Sequence, residues 1–303
     1  MARYLITGGG GFVGSNLVEE LLNRGEYVRV LDNFATGRRE NLKPFLSDIQ
    51  LIEGDLRSYH TVQKAVEGID FVLHQAALPS VPRSINDPIT TNQVNVDGIL
   101  NLLHACQEHR VSRFVYASSS SVYGDNPVSP KHEGMMPNPK SPYAVSKVTG
   151  EYYCKVFHQL HGLETVCLRY FNVFGPRQDP NSQYSAVIPK FVKALKAGKQ
   201  PTIYGDGEQS RDFTYVFNNV MANLLACESP CIGGKVYNIA CQKAYTLNDL
   251  VDLLNDILGT DIAPKYLEER PGDIKHSLAD ISLAREELLY EPKVDFRKGL
   301  ELL

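Results

Sequence analysis

The sequence predicts an α/β fold in which a doubly wound parallel sheet carries a smaller α/β lobe towards its C-terminus. Short runs of β-branched and aromatic residues alternate with longer segments of helical period, a pattern typical of a parallel sheet covered by helices. The first run is followed by a glycine-rich turn that opens a helix, as in nucleotide-binding βαβ units. Loop-forming residues become frequent later in the chain, and its 303 residues leave room for a second, less regular lobe.

Five runs are predicted as the strands of the first half. They are Tyr4–Ile6, Val28–Leu31, Ile49–Ile52, Phe71–Leu73 and Phe114–Ala117. Apolar residues at helical spacing predict helices around Leu17–Leu22 and Ile99–Cys106, and Thr246 is expected to cap a helix over Leu247–Leu258 that Gly259 ends. We assign residues 1–170, with a return segment at about 214–240, to the nucleotide-binding domain, and residues 171–213 and 241–303 to a substrate-binding lobe.

Composition and charge exclude several classes of protein. Hydrophobic residues make up 43% and charged residues 22% of the chain, which is typical of a soluble globular protein. The formal net charge of -4 provides no overall positive field that would attract nucleic acid or an anionic membrane. The six cysteines lack metal-ligand spacing, and the chain shows no signal peptide or membrane-spanning run. We therefore expect a cytoplasmic protein with reduced thiols and no metal site.

The glycine turn and the acidic residue after the second strand predict a dinucleotide site. Gly8, Gly11 and Gly14 allow a tight turn, close approach of the backbone to a pyrophosphate and close packing of the first helix, which predicts a Rossmann-type domain. Asp32 ends the second strand 18 residues after Gly14, where a carboxylate accepts both ribose hydroxyls and repels a 2′-phosphate. NAD is therefore favoured over NADP, although the nearby Arg38 and Arg39 weaken this preference unless they belong to a solvated loop.

A tyrosine and a lysine at helical spacing form the second candidate site. Ser141-Pro142 predicts a helix start, which places Tyr143 in the first turn and Lys147 one turn later on the same face. A tyrosine that acts as a base near neutral pH must lower its pKa from about 10 to about 7, or about 4 kcal/mol. A cation about 4 Å away supplies roughly that amount. The row of serines Ser118–Ser121 follows the fifth strand, where the carboxyl ends of parallel strands line a ligand crevice.

Together these segments resemble the extended short-chain dehydrogenase/reductase family, and more closely its NAD-dependent nucleotide-sugar 4-epimerases. The resemblance covers nearly the whole chain. It includes the glycine turn, residues 31–37, 74–77, 95–98 and 118–124, Tyr143 with Lys147, and residues 168–175.

The resemblance implies three sets of site residues. The catalytic set is Ser119, Tyr143 and Lys147. The NAD-binding set is Gly8, Gly11, Phe12, Val13, Gly14, Asp32, Asn33, Thr36, Gly37, Asp55, Leu56, Gln75, Ala76, Ala77, Asn95, Tyr143, Lys147 and Tyr170. The substrate-binding set is Ser80, Ser119, Ser120, Ser121, Tyr143, Asn172, Gln178, Ala186, Val187, Ile188, Tyr204, Arg211, Arg270, Asp273 and Ser277.

Within the substrate-binding set, the resemblance implies distinct contacts. Asn172 is expected near the diphosphate, and Val187 and Ile188 are expected beside the uracil. Arg211 and Arg270 are expected to bind the diphosphate, because planar guanidinium groups match phosphate oxygens.

Three positions narrow the reaction that the resemblance implies. Related dehydratases carry acidic residues after the catalytic Ser/Thr, because elimination of water needs a further acid and base; Ser120 and Ser121 occupy those positions and disfavour dehydration. Ser277 lies where epimerases restricted to unacetylated hexoses carry a bulky aromatic residue, and a serine leaves volume for an N-acetyl group. The resemblance is therefore strongest to the enzymes that epimerise UDP-N-acetylglucosamine, from whose pattern Pro79 departs.

The implied activity is reversible 4-epimerisation of UDP-N-acetylglucosamine and UDP-N-acetylgalactosamine through a 4-keto intermediate with NAD, extending to UDP-glucose and UDP-galactose. The alternatives are a UDP-glucose or UDP-glucuronate 4-epimerase and, from another class, a non-catalytic NAD-binding regulatory scaffold. The resemblance also implies a homodimer in which the helices near Asn95–His109 and Tyr143–His161 pair with their copies as a four-helix bundle.

Overall fold

The computed structural model describes residues 1–179, 187–269 and 275–303. A seven-stranded parallel sheet forms its centre, with the strand order β11-β6-β5-β4-β1-β2-β3. These strands are β1 (Arg3–Thr7), β2 (Tyr27–Asp32), β3 (Ile49–Glu53), β4 (Phe71–His74), β5 (Arg113–Ser119), β6 (Thr165–Tyr170) and β11 (Lys235–Ile239). The predicted fold class is confirmed, and each of the five predicted strands forms part of this sheet.

Helices cover both faces of the sheet because the strands are apolar on both sides. The sheet-packing helices are α1 (Phe12–Asn23), α3 (Tyr59–Val66), α6 (Gly98–Glu108), α7 (Pro142–His161) and α9 (Val216–Glu228). In β1, Ile6 packs in the core layer of α1 and α9, whereas its neighbour Leu5 packs in the layer of α3, α6 and α7. This alternation buries both faces of the strand.

Short helices complete the first part of the chain. They are α2 (Arg39–Leu42), α4 (Val81–Asn86) and α5 (Pro88–Asn92), with 3₁₀ turns at Lys43–Phe45 and Ser120–Tyr123 and a π-helix at Gln93–Asp97. The π-helix joins α5 to α6 and contains Asn95, and such turns are frequent at functional sites.

The smaller lobe packs around its own apolar cluster. Its strands are β7 (Val173–Phe174), β8 (Thr202–Tyr204), β9 (Ser210–Arg211), β10 (Thr214–Tyr215), β12 (Tyr245–Thr246), β13 (Lys265–Leu267) and β14 (His276–Ser277). Its helices are α8 (Val187–Lys196), α10 (Leu247–Leu258) and α12 (Phe296–Glu301). Helix α11 (Ser282–Leu288) instead packs on β11 and α9, and its Ala284 and Leu288 belong to the core of the central sheet. The predicted bounds and caps of α10 are confirmed: Thr246 forms a capping box, and Gly259 follows in the left-handed conformation.

Two strands of the central sheet, β6 and β11, were absent from the predicted strands. Both contain a buried polar side chain, Arg169 in β6 and Asn238 in β11, which interrupts the apolar pattern of a central strand. Across the described ranges, no helix combines the length and hydropathy that crossing a membrane requires.

Candidate active site

The glycine turn packs too tightly for side chains at two positions. Gly8 has φ +72°, and a Cβ there would lie 2.7 Å from the backbone of Ala76. A Cβ at Gly14 would lie 2.2 Å from the carbonyl oxygen of Gly8. Helix α1 begins after Gly11, which has no side chain to cap its first N–H groups. The turn therefore presents backbone donors at the edge of the sheet and fits the pyrophosphate of a dinucleotide.

We expect Gly14→Ala to abolish the cofactor site. The new methyl group overlaps the Gly8 carbonyl oxygen, so the turn must open, at a cost of about 2 kcal/mol or more in the free energy of unfolding. The NAD content of the purified protein and its thermal midpoint measure the effect. The control is Gly134→Ala, an exposed site where the nearest atom to a new Cβ is a His132 side-chain nitrogen at 3.2 Å. Full NAD occupancy in Gly14→Ala would contradict this role of the turn.

Asp32 closes the loop that follows β2. Its carboxylate accepts hydrogen bonds from the backbone N–H of Gly10 at 2.8 Å and of Phe34 at 2.7 Å. Burial raises the pKa of Asp32, and these two hydrogen bonds oppose that effect. Each carboxylate oxygen of Asp32 has a further lone pair that can accept a hydrogen bond. The geometry therefore permits the predicted contact with ribose hydroxyls, which stays a prediction. Gly37, another predicted cofactor residue, lies against the same carboxylate: a Cβ added there would be 2.9 Å from Asp32 Oδ2.

The two arginines beside Asp32 have carboxylate partners of their own. Arg39 pairs with Glu53 at 2.5 Å, and its guanidinium lies 4.2 Å from the Phe34 ring centre. Arg38 lies 3.7 Å from Glu40 and 4.0 Å from Asp179. These contacts favour NAD over NADP, because neither arginine is reserved for a 2′-phosphate.

Four further predicted cofactor residues, Asn33, Asp55, Gln75 and Tyr170, lie in two polar clusters near the strand ends. In the first, Asp55 accepts hydrogen bonds from Arg57 and Asn33, and the Arg57 contact lowers the pKa of Asp55 to about 2. In the second, the Tyr170 hydroxyl donates to Gln75 Oε1 at 3.2 Å, while Asn223 donates to Tyr170 at 2.6 Å. Asn223, on α9, was not among the predicted residues.

Asn95 and Ser80 make contacts within the protein. Asn95 accepts from the N–H of Leu78 at 2.8 Å and donates to Ser146 Oγ at 3.0 Å, so it joins the segment after β4 to helix α7. Ser80, at φ +111°, caps α4 by accepting from the N–H of Arg83. Their contacts with NAD and the sugar stay predictions.

The structure brings the predicted catalytic residues together at the end of β5 and the start of α7. Ser141 caps α7 by accepting from the N–H of Ala144 at 3.2 Å, as predicted. Tyr143 forms a side-chain hydrogen bond with Ser119. Lys147 Nζ donates to the carbonyl oxygen of Ala117 at 2.7 Å and lies 5.8 Å from the Tyr143 ring centre. A hydroxyl, a phenol and an ammonium group therefore share one edge of the sheet.

The predicted lowering of the Tyr143 pKa by Lys147 is wrong for the chain by itself. Burial raises the pKa of Tyr143, and the hydrogen bond with Ser119 only partly opposes this. Burial also lowers the pKa of Lys147 to about 8, while Glu151 opposes that change. The prediction rests on the attraction between an ammonium and a phenolate. It leaves out their burial, which penalises both charges.

The serines after Ser119 lie in the 3₁₀ turn Ser120–Tyr123. The Ser119 hydroxyl accepts from the N–H of Ser121 at 3.2 Å. Ser121 Oγ is buried and finds no hydrogen-bond partner among the described residues. A buried hydroxyl without a partner is costly, and a sugar hydroxyl in the crevice is a suitable partner.

A cavity of about 490 Å³ opens in the smaller lobe. Five predicted substrate residues line it, namely Asn172, Val187, Ile188, Tyr204 and Arg211. Sequence reasoning missed Lys190, which also lines the cavity and follows Val187 at helical spacing, and Gln209. The apolar walls suit a nucleotide base, and the arginine and lysine suit the phosphates joined to it. Of the other predictions, Ala186, Arg270 and Asp273 lie outside the described residues.

Ser277 lies beside this cavity wall through strand pairing. It pairs in register with Arg211, and its carbonyl oxygen accepts from the N–H of Asp212 at 2.8 Å. The buried Asp212 carboxylate accepts hydrogen bonds from the backbone N–H groups of Cys241 and Ala279. Burial raises the pKa of Asp212 to about 6. Asp212, which the sequence analysis also missed, thus fixes the strands that carry Arg211 and Ser277.

Gln178 lies in the loop after β7. Its Nε2 donates to the carbonyl oxygen of Val173 at 3.2 Å, and its Oε1 is buried without a partner among the described residues. Gln178 Oε1 could therefore accept a hydrogen bond from the substrate, and this predicted contact stays a prediction.

Comparison with known proteins gives consistent matches. The sequence profile of the NAD dependent epimerase/dehydratase family matches residues 4–240. The structure of UDP-N-acetylglucosamine 4-epimerase from Methanobrevibacter ruminantium M1, in complex with UDP-N-acetylmuramic acid, is 46% identical with a TM-score of 0.95, over 99% of this chain and 96% of that chain. The structure of UDP-glucose 4-epimerase from Thermus thermophilus in complex with NAD is 38% identical with a TM-score of 0.88, over 99% and 97% of the two chains. A putative UDP-glucose 4-epimerase of Methanocaldococcus jannaschii is 34% identical, over 98% of this chain and 95% of that protein.

Proposed function

The chain belongs to the NAD dependent epimerase/dehydratase family, and we propose that it interconverts UDP-N-acetylglucosamine and UDP-N-acetylgalactosamine. Its similar proteins include several UDP-sugar 4-epimerases, besides decarboxylases and a dehydratase. The enzyme is therefore an isomerase that epimerises a UDP-sugar at C4 with NAD. The choice of an acetylated sugar is the proposal. It is carried by Ser277, a small side chain beside Arg211 at the cavity wall.

The residues of the chain divide the reaction between them. Tyr143, as phenolate, takes the proton of the 4-hydroxyl group, and Ser119 donates a hydrogen bond to the same oxygen. Lys147 does not lower the Tyr143 pKa in the chain by itself, but with the dinucleotide bound it would help to stabilise the phenolate and would bind the nicotinamide ribose. NAD, when bound, supplies the acceptor for the hydride from C4 and a positive charge near Tyr143. The glycine turn, Asp32 and the Gln75 cluster are the residues that would bind it.

Inversion at C4 requires that the keto-sugar rotate, so that its other face meets the cofactor, while the nucleotide stays bound. The cavity supports this division, because Arg211 and Lys190 lie among apolar walls suited to a nucleoside diphosphate. The catalytic edge offers small hydroxyls, Ser119 to Ser121, whose contacts with a sugar are easily exchanged. Strong binding of UDP and weak binding of the hexose follow from this distribution.

The test is a product assay. Purified enzyme is incubated with UDP-N-acetylglucosamine, and separately with UDP-glucose and UDP-glucuronate, and the hexoses are identified by NMR. We expect the galacto-epimer of the acetylated sugar. Turnover of UDP-glucose or UDP-glucuronate without the acetylated sugar would replace the proposal by the corresponding alternative, and no turnover of any would favour the non-catalytic scaffold.

We also propose a homodimer through helix α7. Val145, Tyr152, Val156 and Leu160 recur along one side of α7 and are exposed, and Ile85 and Ile89 of the adjoining α4 and α5 are exposed as well. Such a stripe is typical of a helix that packs against a partner. The large apolar residues of α6, in contrast, are buried in the core.

We expect Val156→Glu combined with Leu160→Glu to yield a monomer, because two carboxylates on the stripe would have to be buried in the interface. Light scattering after size-exclusion chromatography measures the mass. Leu289→Glu changes an even more exposed apolar residue away from α7 and is expected to remain dimeric. A dimeric double variant would show that the interface lies elsewhere.

A further inference from the structure

A buried ion pair lies behind the catalytic residues. Glu151 of α7 accepts two hydrogen bonds from the Arg169 guanidinium of β6, at 2.8 and 2.7 Å. The Arg169 and Glu151 side chains are only 4% and 6% exposed. Burying two charges costs hydration that their attraction often only just offsets, so a gain in stability does not by itself account for this pair.

The pair contacts the segment that carries Ser119 on both sides. The Ser118 hydroxyl donates to Glu151 Oε1 at 2.5 Å, and Ser118 is the register partner of Arg169 in the sheet. The Arg169 guanidinium lies 4.7 Å from the ring centre of Tyr123 in the following 3₁₀ turn. The end of β5 and the turn after it are thus both attached to the ion pair.

The same carboxylate provides charge for Lys147. Glu151 follows Lys147 by one helical turn. Burial lowers the pKa of Lys147, and the negative charge of Glu151 opposes this change. Groups on three neighbouring strands also face Lys147: His74, Tyr116 and Cys167. None of the three is charged near neutral pH, because burial lowers the pKa of His74 to about 3 and raises those of Tyr116 and Cys167.

We propose, on the basis of the function proposed above, that Glu151 is a positioning residue for the reaction, which keeps Lys147 protonated and fixes Ser119 against Tyr143. Arg169, on β6, holds the carboxylate in place through its two hydrogen bonds. Loss of the Glu151 charge then acts on the protonation of Lys147, whereas loss of the Ser118 contact acts on the position of Ser119.

The test is Glu151→Gln, which keeps the shape of the side chain and removes its charge. We expect kcat to fall about tenfold or more with KM changed less than about threefold. The upper limb of the pH profile of kcat should move to lower pH by about one unit, because a nearby opposite charge is removed. Lysine-selective NMR of the enzyme as purified should show the Lys147 titration moving by the same amount.

Three further variants separate charge, position and fold. Glu151→Asp keeps the charge and should keep the upper limb at its native pH. Ser118→Ala should lower kcat several-fold without moving the limb. Glu164→Gln breaks a different ion pair, with Arg113 at the opposite end of β5 at 3.2 Å, and should leave the pH profile as it is.

A native upper limb and a native Lys147 titration in folded Glu151→Gln would overturn the electrostatic role. If that variant does not fold, Ser118→Ala decides, since a native kcat there would overturn the positioning role. The kinetics are measured with whichever UDP-hexose the native enzyme epimerises, and the NMR titration needs no turnover. Failure of the substrate proposal is therefore distinguishable from failure of this one.

Discussion

Tyr143→Phe is expected to reduce kcat about 10³-fold or more while the protein keeps its fold and its dinucleotide. The substitution removes the phenolic oxygen that takes the proton from the sugar, and a positioned base contributes about 10²–10⁴-fold to such a step. The ring itself packs in the same place, and Ser119 remains. Initial rates with UDP-N-acetylglucosamine measure the loss, and NAD released from denatured protein measures the retained cofactor.

Tyr152→Phe is the matched control, because Tyr152 lies on the same helix but is exposed. Its turnover should equal that of the native enzyme. If Tyr143→Phe kept more than a tenth of the native rate, another group would have to be the base.

Ser277→Tyr is expected to reduce turnover of the acetylated sugars about 100-fold or more and to spare UDP-glucose and UDP-galactose. A tyrosine ring occupies the volume that the N-acetyl group needs, and close-packed sites tolerate such overlap poorly. The strand position itself tolerates the change, since Ser277 pairs with Arg211 through the backbone and is not fully buried. Rates with the four UDP-hexoses, measured side by side, report the ratio.

Ser277→Ala is the control for volume. It removes the hydroxyl but adds no bulk, so the acetylated sugars should still turn over at near the native rate. A parallel loss of both kinds of substrate in Ser277→Tyr would mean that the residue supports the lobe in general and does not select the sugar.

The sequence was most informative where local chemistry decides the structure. The glycine turn, the capped start of α7 and the capping box of α10 depend on residues within a few positions of one another, so their patterns could be recognised directly. The position of the serine row at the end of β5, and those of Tyr143 and Lys147 in the first turns of α7, could be predicted in the same way, whereas the choice of Ser119 came from the family resemblance.

Long-range pairing accounts for what was missed. Arg169 in β6 resembles a surface residue until Glu151 neutralises it from another element. Asn223 and Asp212 gain their roles from partners far away in the chain, Tyr170 and Ala279 respectively. The pKa of Tyr143 likewise depends on burial, which the sequence around it does not reveal.

The order of the strands has a consequence for the synthesis of the chain. All seven strands of the central sheet are present once Ile239 has left the ribosome, because β11 is the last of them. The apolar cluster behind the cavity, in contrast, includes Leu250 of α10 and Leu300 of α12, and is complete only after Leu300 has been added. The strands that carry the dinucleotide site are therefore all synthesised before this cluster is complete, although Leu288 and Tyr290 join the core of the sheet only later.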